Sequence, residues 1–408
     1  MPYAMPEANL ILPTPLPAAL APEIARRVYF VDSRISDFSL VERDGLITSI
    51  EVRTDTAVDV EELAARAAAV FESEVLPHGV LRRKVIWESG VRRPARPEVF
   101  DDLVVAGEAC SLGEGQVGIG GNLLALMDCL DDLIRDLVVE EFGAVEFRYP
   151  TLMPTRVLEK CDYFASFPQF LMFVTRLHSD SRTYGAFRES YAARRQVSAD
   201  ILTDCDNVDY CLPPTMCFHT FSQHEGTRLP GSRHRVVTAK GKSFRFESRY
   251  ATTLERLWDF TIREIVFMGS RDFVTASRRR FMGLAFELIT DLGLEGHAEV
   301  ANDPFFSAED GIAKTVSQRL LELKYELRLK TGPDRTIAAA SFNFHDTFFT
   351  ERFDIREADG ATAHSGCVGF GLERLMFAFL CQHGADPKAW PDRVREQLRG
   401  ARLSPRGR

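Results

Sequence analysis

The sequence predicts an α/β fold in two parts, a small N-terminal ββα unit followed by one large domain of alternating helices and strands. Three observations carry this expectation. Asp44-Gly45 separates two strand-like runs, 38–42 and 46–52, and Asp-Gly between such runs signals a tight hairpin. Asp59 precedes a stretch, VEELAARAAAVFESEV, whose apolar residues recur at helical spacing, so Asp59 reads as its N-cap. The segment 122–141 is a long amphipathic helix; Phe142-Gly143 stops it, and the short strand that follows halts at Pro150 and Pro154.

The remaining elements follow in order. Residues 1–25 are rich in Pro and Ala and are expected to pack loosely. The Arg- and Pro-rich stretch 91–98 reads as a linker, which divides the chain near residue 95 into units 1–95 and 96–408. Further strands are expected at 243–248 and 336–343, and helices at 251–267, 271–291 and 312–326. Gly113 to Gly118 fits G-x-G-x-x-G, yet no βαβ frame surrounds it, so a flexible loop is expected there and not a dinucleotide site. The tail from Asp386 is rich in Arg and Pro and is expected at the surface.

Composition narrows the function classes. Over 408 residues the chain carries a net charge of −9, which argues against an extended nucleic-acid surface. No apolar run reaches membrane-spanning length, and the N-terminus lacks the basic start of a signal peptide. The eight cysteines are therefore expected as reduced thiols in a cytoplasm, some of them on metal.

Three segments carry chemistry. The first is the helix and proline-ended strand of 122–154. The second is Phe244-Arg245-Phe246-Glu247, followed by Arg256, Phe260 and Glu264. The third runs from Ser365 through Gly366-Cys367-Val368-Gly369-Phe370-Gly371-Leu372-Glu373-Arg374. Singly, each is an ordinary strand or a capped helix start. In this order they resemble motifs 1, 2 and 3 of the class II aminoacyl-tRNA synthetases, and the resemblance implies an antiparallel sheet flanked by helices and a homodimer built on motif 1. Adenylate formation brings a carboxylate anion against a polyphosphate, so it needs fixed cations; the planar fork of arginine suits phosphate. By the resemblance Arg245 clamps the α-phosphate and the substrate carboxylate, and Arg374 binds the γ-phosphate over adenine. Phe260 stacks on the other adenine face, Glu247 reads the adenine amino group, and Arg256 adds a phosphate contact. Ser341 and Asn343 face the substrate.

Within this class the chain is most similar to the zinc-dependent atypical seryl-tRNA synthetases and their smaller relatives, the amino acid:[carrier protein] ligases. The resemblance implies a Zn2+ held by Cys217, Glu264 and Cys367, residues so distant in sequence that only the fold can gather them. Three protein ligands leave zinc one open position, here for the substrate amine. For Cys129, Cys161, Cys205 and Cys381 burial is the expectation. His219, His224 and His234 are rival ligands, expected instead at the surface or in loops.

The stretches 158–168 and Ser341-Phe342-Asn343-Phe344-His345 resemble the carrier-protein ligases in particular. That implies ATP with Mg2+ as co-substrate, a small amino acid such as glycine, alanine or serine, and transfer to the phosphopantetheine thiol of an acidic carrier protein. Arg278-Arg279-Arg280 and Arg194-Arg195 are candidate docking cations, and a solvated helix face is the equal alternative. The sequence departs from the class at 337–341, where Ile-Ala-Ala-Ala-Ser lacks the acid that helps hold magnesium on ATP. A true seryl-type tRNA synthetase and a non-catalytic paralogue remain the alternatives; the absence of a basic arm makes tRNA the less expected partner.

Overall fold

In the computed structural model, residues 6–76, 84–230, 234–246, 253–301 and 323–403 are described. The small unit is larger than ββα. Residues 1–25 were expected to pack loosely, but β1 (Glu7–Pro17) pairs antiparallel with β3 (Leu46–Thr54), which pairs with β2 (Ile35–Arg43) through the Asp44-Gly45 turn. The helix Ala21–Val31 and the helix Val60–Glu74 cover this sheet. The reason lies in the alternation Leu10, Leu12 and Leu16, all buried with Ile24 and Val28, which the prolines mask in the sequence. Asp59 accepts from the backbone N–H groups of Glu61 and Glu62, as an N-cap does.

Among the described residues the large sheet has eight strands, and all its strand pairs but the last are antiparallel. Its first strand, β4 (Val85–Glu88), lies on the N-terminal side of residue 95 and forms one edge. The Gly113–Gly118 stretch, expected as a loop, is the hairpin β5 (Ala109–Gly113) and β6 (Gln116–Ile119). Gly115 has φ +63°, and a Cβ there would stand 2.5 Å from the Trp258 ring, so only glycine closes this turn against motif 2. Next come β7 (Val145–Phe147) and three two-residue strands, β8 (Met153–Pro154), β9 (Phe173–Val174) and β10 (Tyr210–Cys211), the last three forming a small sheet of their own. The large sheet is completed by β11 (His234–Phe244), β12 (Asp259–Gly269), β13 (Gly296–Ala301), β14 (Lys324–Gly332), β15 (Arg335–Asp346) and β16 (His364–Gly371). Its order is β4-β13-β14-β15-β16-β12-β11-β7, with β7 parallel to β11.

Two helix expectations give way to strands. Residues 259–269, which overlap the expected helix 251–267, form a central strand; Ile265 and Phe267 are buried on one face, and Val266 and Met268 on the other. A strand covered on both faces is apolar throughout and loses the two-residue alternation. Of the expected helix 312–326, residues 312–322 lie outside the described residues and Lys324 opens β14. The helix Arg271–Asp291 is where it was expected, as is Gly121–Phe142, closed by Gly143 at φ +59°. These two helices and Leu372–His383 pack on one sheet face. The opposite face is shared between a second apolar cluster and the site.

Candidate adenylate-forming site

The centre of the open face is a cavity of about 190 Å³ that opens to solvent. Adjacent strands bring its polar residues into rows. Gly369 on β16 pairs with Glu264 on β12 and with Ser341 on β15; one step along, Cys367 pairs with Asn343. Cross-strand partners share a face, so Ser341, Asn343, Glu264 and Cys367 all point into the cavity. Cys217 arrives from the other side, at the start of the helix Cys217–Gln223.

The metal-binding atoms of Cys217, Glu264 and Cys367 lie within 4.8 Å of one another, and all three residues are buried. Donors about 2.0–2.3 Å from one ion sit roughly 3.5–4 Å apart, so the cluster needs little movement to close on zinc. The donor set suits zinc on a second ground. Burial pushes the Glu264 carboxyl up to about 7, although Thr215 Oγ1 donates to it at 2.8 Å and Arg245 draws it down. The Cys367 thiol is pushed well above its ordinary range by its hydrogen bond with Cys217, by burial and by the nearby Glu264. A divalent cation relieves the crowding of three acidic groups in one dry place. Asn343 supports the set by donating from Nδ2 to Cys367 Sγ at 3.4 Å and to Ser341 Oγ at 3.2 Å.

Beside the cluster stand the expected arginines. Arg245 is anchored by Nε on the Pro214 carbonyl at 3.0 Å, and its guanidinium lies 5.5 Å from the Phe260 ring centroid. Arg374, in the first turn of Leu372–His383, is anchored by Nε on the Glu255 carbonyl at 2.7 Å. Both arginines and Phe260 line the cavity. Arg256 is half-buried and is not among the lining residues; Glu247 lies outside the described residues. The glycines of the third motif keep the floor open: a Cβ on Gly369 would stand 2.9 Å from Ile262 and 3.5 Å from the Glu264 carboxylate.

Other expectations are corrected. His219 and His224 are buried, not at the surface: His219 stacks on Tyr149 at 5.3 Å, and His224 Nδ1 meets the Thr220 carbonyl at 2.9 Å. Neither belongs to the metal cluster. Arg278 is no docking cation, because it is buried with Nη1 on the Leu323 carbonyl; Arg279 and Arg280 are exposed, and Arg280 pairs with Glu141 at 2.6 Å. Cys129, Cys161 and Cys381 are buried as expected, while Cys205 is half-buried. Sequence reasoning missed Thr215, Glu326, Lys324 and the aromatic wall of Tyr163, Phe167 and Phe218. Only the Thr215-x-Cys217 spacing carried a local signal; Lys324 and Glu326 enter through strand pairing, and Tyr163, Phe167 and Phe218 from short helices and their ends.

The fold is shared with class II synthetases. It matches M. kandleri SerRS in complex with A. aeolicus tRNASec with a TM-score of 0.71 at 23% identity, over 90% of this chain and 74% of that one. It also matches the cytoplasmic serine-tRNA ligase from Naegleria fowleri, with a TM-score of 0.60 at 13% identity. No family model matches the sequence. The fold is thus that of the class II synthetases. The chain is 33% identical over 307 residues to amino acid–[acyl-carrier-protein] ligase 1 of Bradyrhizobium diazoefficiens, which covers 74% of this chain and 91% of that protein. It belongs to that family. It is also 29% identical over 296 residues to the type-2 serine–tRNA ligase of Methanothermobacter thermautotrophicus, spanning 57% of that protein's length.

Proposed function

We propose that the protein activates a small amino acid with ATP and passes it to the phosphopantetheine thiol of a carrier protein. The observation that carries the reading is a single cavity lined by the Cys217–Glu264–Cys367 cluster and by both Arg245 and Arg374. Zinc bound by the three ligands would supply a seat for a neutral α-amine. Arg245, fixed over Phe260, holds the substrate carboxylate beside the α-phosphate, and Arg374 holds the far end of the nucleotide. An oxygen of the carboxylate forms its bond to the α-phosphorus as the bond to pyrophosphate breaks. The carrier thiol then attacks the acyl carbon, AMP leaves, and the thiol proton passes to solvent or phosphate. A thiol needs little help against an acyl adenylate. The aromatic wall of Tyr163, Phe167 and Phe218 beside the zinc ligands favours a small side chain.

The exposed Arg194 and Arg195, at the end of the helix Ser181–Arg194, suit an acidic carrier. The helix Gly121–Phe142 and the sheet-edge strand β7 are offered as the homodimer surface; sedimentation as a monomer at micromolar concentration would count against it. Among the described residues no helix is long and apolar enough to cross a membrane, and the proposed setting is cytoplasmic. Amino-acid-dependent ATP–pyrophosphate exchange across small amino acids, with metal analysis of the same sample, tests the reading; silence with all of them defeats it. The serine–tRNA ligase relative supports a second reading, which labelled serine on bulk tRNA would favour. The alanine run 338–340 supports a third, a non-catalytic paralogue, favoured by retained zinc without exchange.

A further inference from the structure

A polyphosphate in this cavity meets carboxylates, and each must be neutralised or must hold a cation on the phosphates. The described carboxylates lining the cavity are Glu255, Glu264, Glu326 and Glu373. Glu255 accepts from Arg335 Nη2 at 2.8 and 3.0 Å. Glu373 accepts from the Thr261 backbone N–H and hydroxyl at 2.8 Å. Glu264 belongs to the thiol cluster.

Glu326 differs. It stands on β14 directly across from Ser341, so its carboxylate and the Ser341 hydroxyl share one sheet face and both line the cavity. It also meets Lys324 Nζ at 3.4 Å and Arg328 Nη1 at 3.3 Å, so cations flank it on its own strand. Two residues on from Ser341, Asn343 is 8% exposed and its Oδ1 has no hydrogen-bond partner, a second oxygen left open on this face of the cavity. On β15 itself the run Ala338-Ala339-Ala340 offers no side-chain oxygen. Magnesium takes oxygen ligands, one or two carboxylates with substrate phosphates, and keeps several waters.

We propose that Glu326, reaching from the neighbouring strand and assisted by the Ser341 hydroxyl, holds the divalent cation that accompanies ATP. The acid is thereby displaced by one strand from the alanine run. This rests on the adenylation reading. Held there, a divalent cation would offset the negative charge of the phosphates and of the departing pyrophosphate.

The test uses Mn2+ as probe, with a non-hydrolysable ATP analogue, and reads bound Mn2+ by electron paramagnetic resonance. Glu326→Gln is expected to weaken Mn2+·nucleotide binding at least about tenfold, with metal-free nucleotide affinity and zinc content unchanged. Adding Ala338→Glu to that variant is expected to recover the loss, which a misfolded protein would not do. Equal Mn2+·nucleotide affinity in wild type and Glu326→Gln overturns the proposal while the adenylation reading stands. A wild-type protein that binds no nucleotide, with or without Mn2+, overturns both.

Discussion

Arg263 and Glu264 are neighbours on β12 and serve opposite faces of the sheet. Arg263, 1% exposed, donates through Nε and Nη2 to Asp131 on the helix Gly121–Phe142 at 2.7 and 2.8 Å, and through Nη1 to Glu146 on β7 at 2.7 Å. Glu264 turns into the cavity and accepts from Thr215. Strand alternation thus fastens the carboxylate of the metal cluster to the helix and edge strand offered here as the dimer surface.

The buried ion pair gives the first prediction. Arg263→Met leaves Asp131 in the interior with Lys240 Nζ, 3.0 Å away, as its remaining cation. Breaking one side of a buried pair costs about 3–5 kcal/mol, and Lys240 places the loss near about 3 kcal/mol. Urea unfolding measures it. Replacing Asp131 and Arg263 together by apolar residues should recover much of the loss, because no fully buried charge is left unpaired: Lys240 keeps Asp128, and Glu146 is about a third exposed; a double variant as unstable as the single one refutes this account.

Metal removal should make stability pH-dependent. In the metal-free protein the Glu264 carboxyl titrates near 7, above its unfolded value of about 4.3. A raised carboxyl stabilises the fold fully below the unfolded value, and that contribution is lost as pH rises from about 4.3 to about 7. Metal-stripped protein should therefore lose stability over this window, on the order of 3 kcal/mol. Zinc-loaded protein, whose carboxylate stays ionised on the metal, and metal-stripped Glu264→Gln should lack this component. Calorimetry at pH 5 and pH 7.5 decides: equal slopes with and without zinc dispose of the idea.

The cysteines are separable by the same metal assay. Cys217→Ser and Cys367→Ser should each lose most bound zinc and amino-acid-dependent exchange, by at least about a hundredfold. Cys161→Ser should keep both: Cys161 packs in the same apolar cluster, is pushed above its ordinary range chiefly by burial, and is not part of the metal group. Zinc retained in both ligand variants would break the assignment.

How much of this was legible in the sequence follows from what each residue does. Cys217, Glu264, Cys367, Arg245 and Arg374 were singled out by their resemblance to synthetase motifs, and the fold gathers all five around one cavity. Glu326 was not singled out: its strand was expected to be helical, and it enters the cavity only by pairing with Ser341. The central strand β12 was misread because burial on both faces removes the alternation that marks a strand. The N-terminal strand β1 was hidden by prolines that sit within it, although Leu10, Leu12 and Leu16 alternate inward. Local chemistry shows in one dimension; strand neighbours do not.

The last prediction separates the two arginines. Arg245 lies beside Glu264 and over Phe260, where in the proposed reaction substrate carboxylate and α-phosphate would meet, so its fork would act on the reacting atoms. Arg374 is anchored on the Glu255 and Ala338 carbonyls, farther along the cavity. Arg245→Lys keeps the charge and loses the two-pronged geometry, which is not a conservative change at a phosphate clamp. It should lower kcat for exchange by about a hundredfold or more with a modest change in the KM for ATP. Arg374→Lys should act mainly on the KM for ATP, because in the proposed mode Arg374 would grip a part of the nucleotide that is held alike before and during the reaction. Steady-state exchange kinetics at saturating amino acid resolve the two. If Arg245→Lys raised only KM while Arg374→Lys lowered only kcat, the roles would be reversed and the nucleotide would lie in the cavity the other way round.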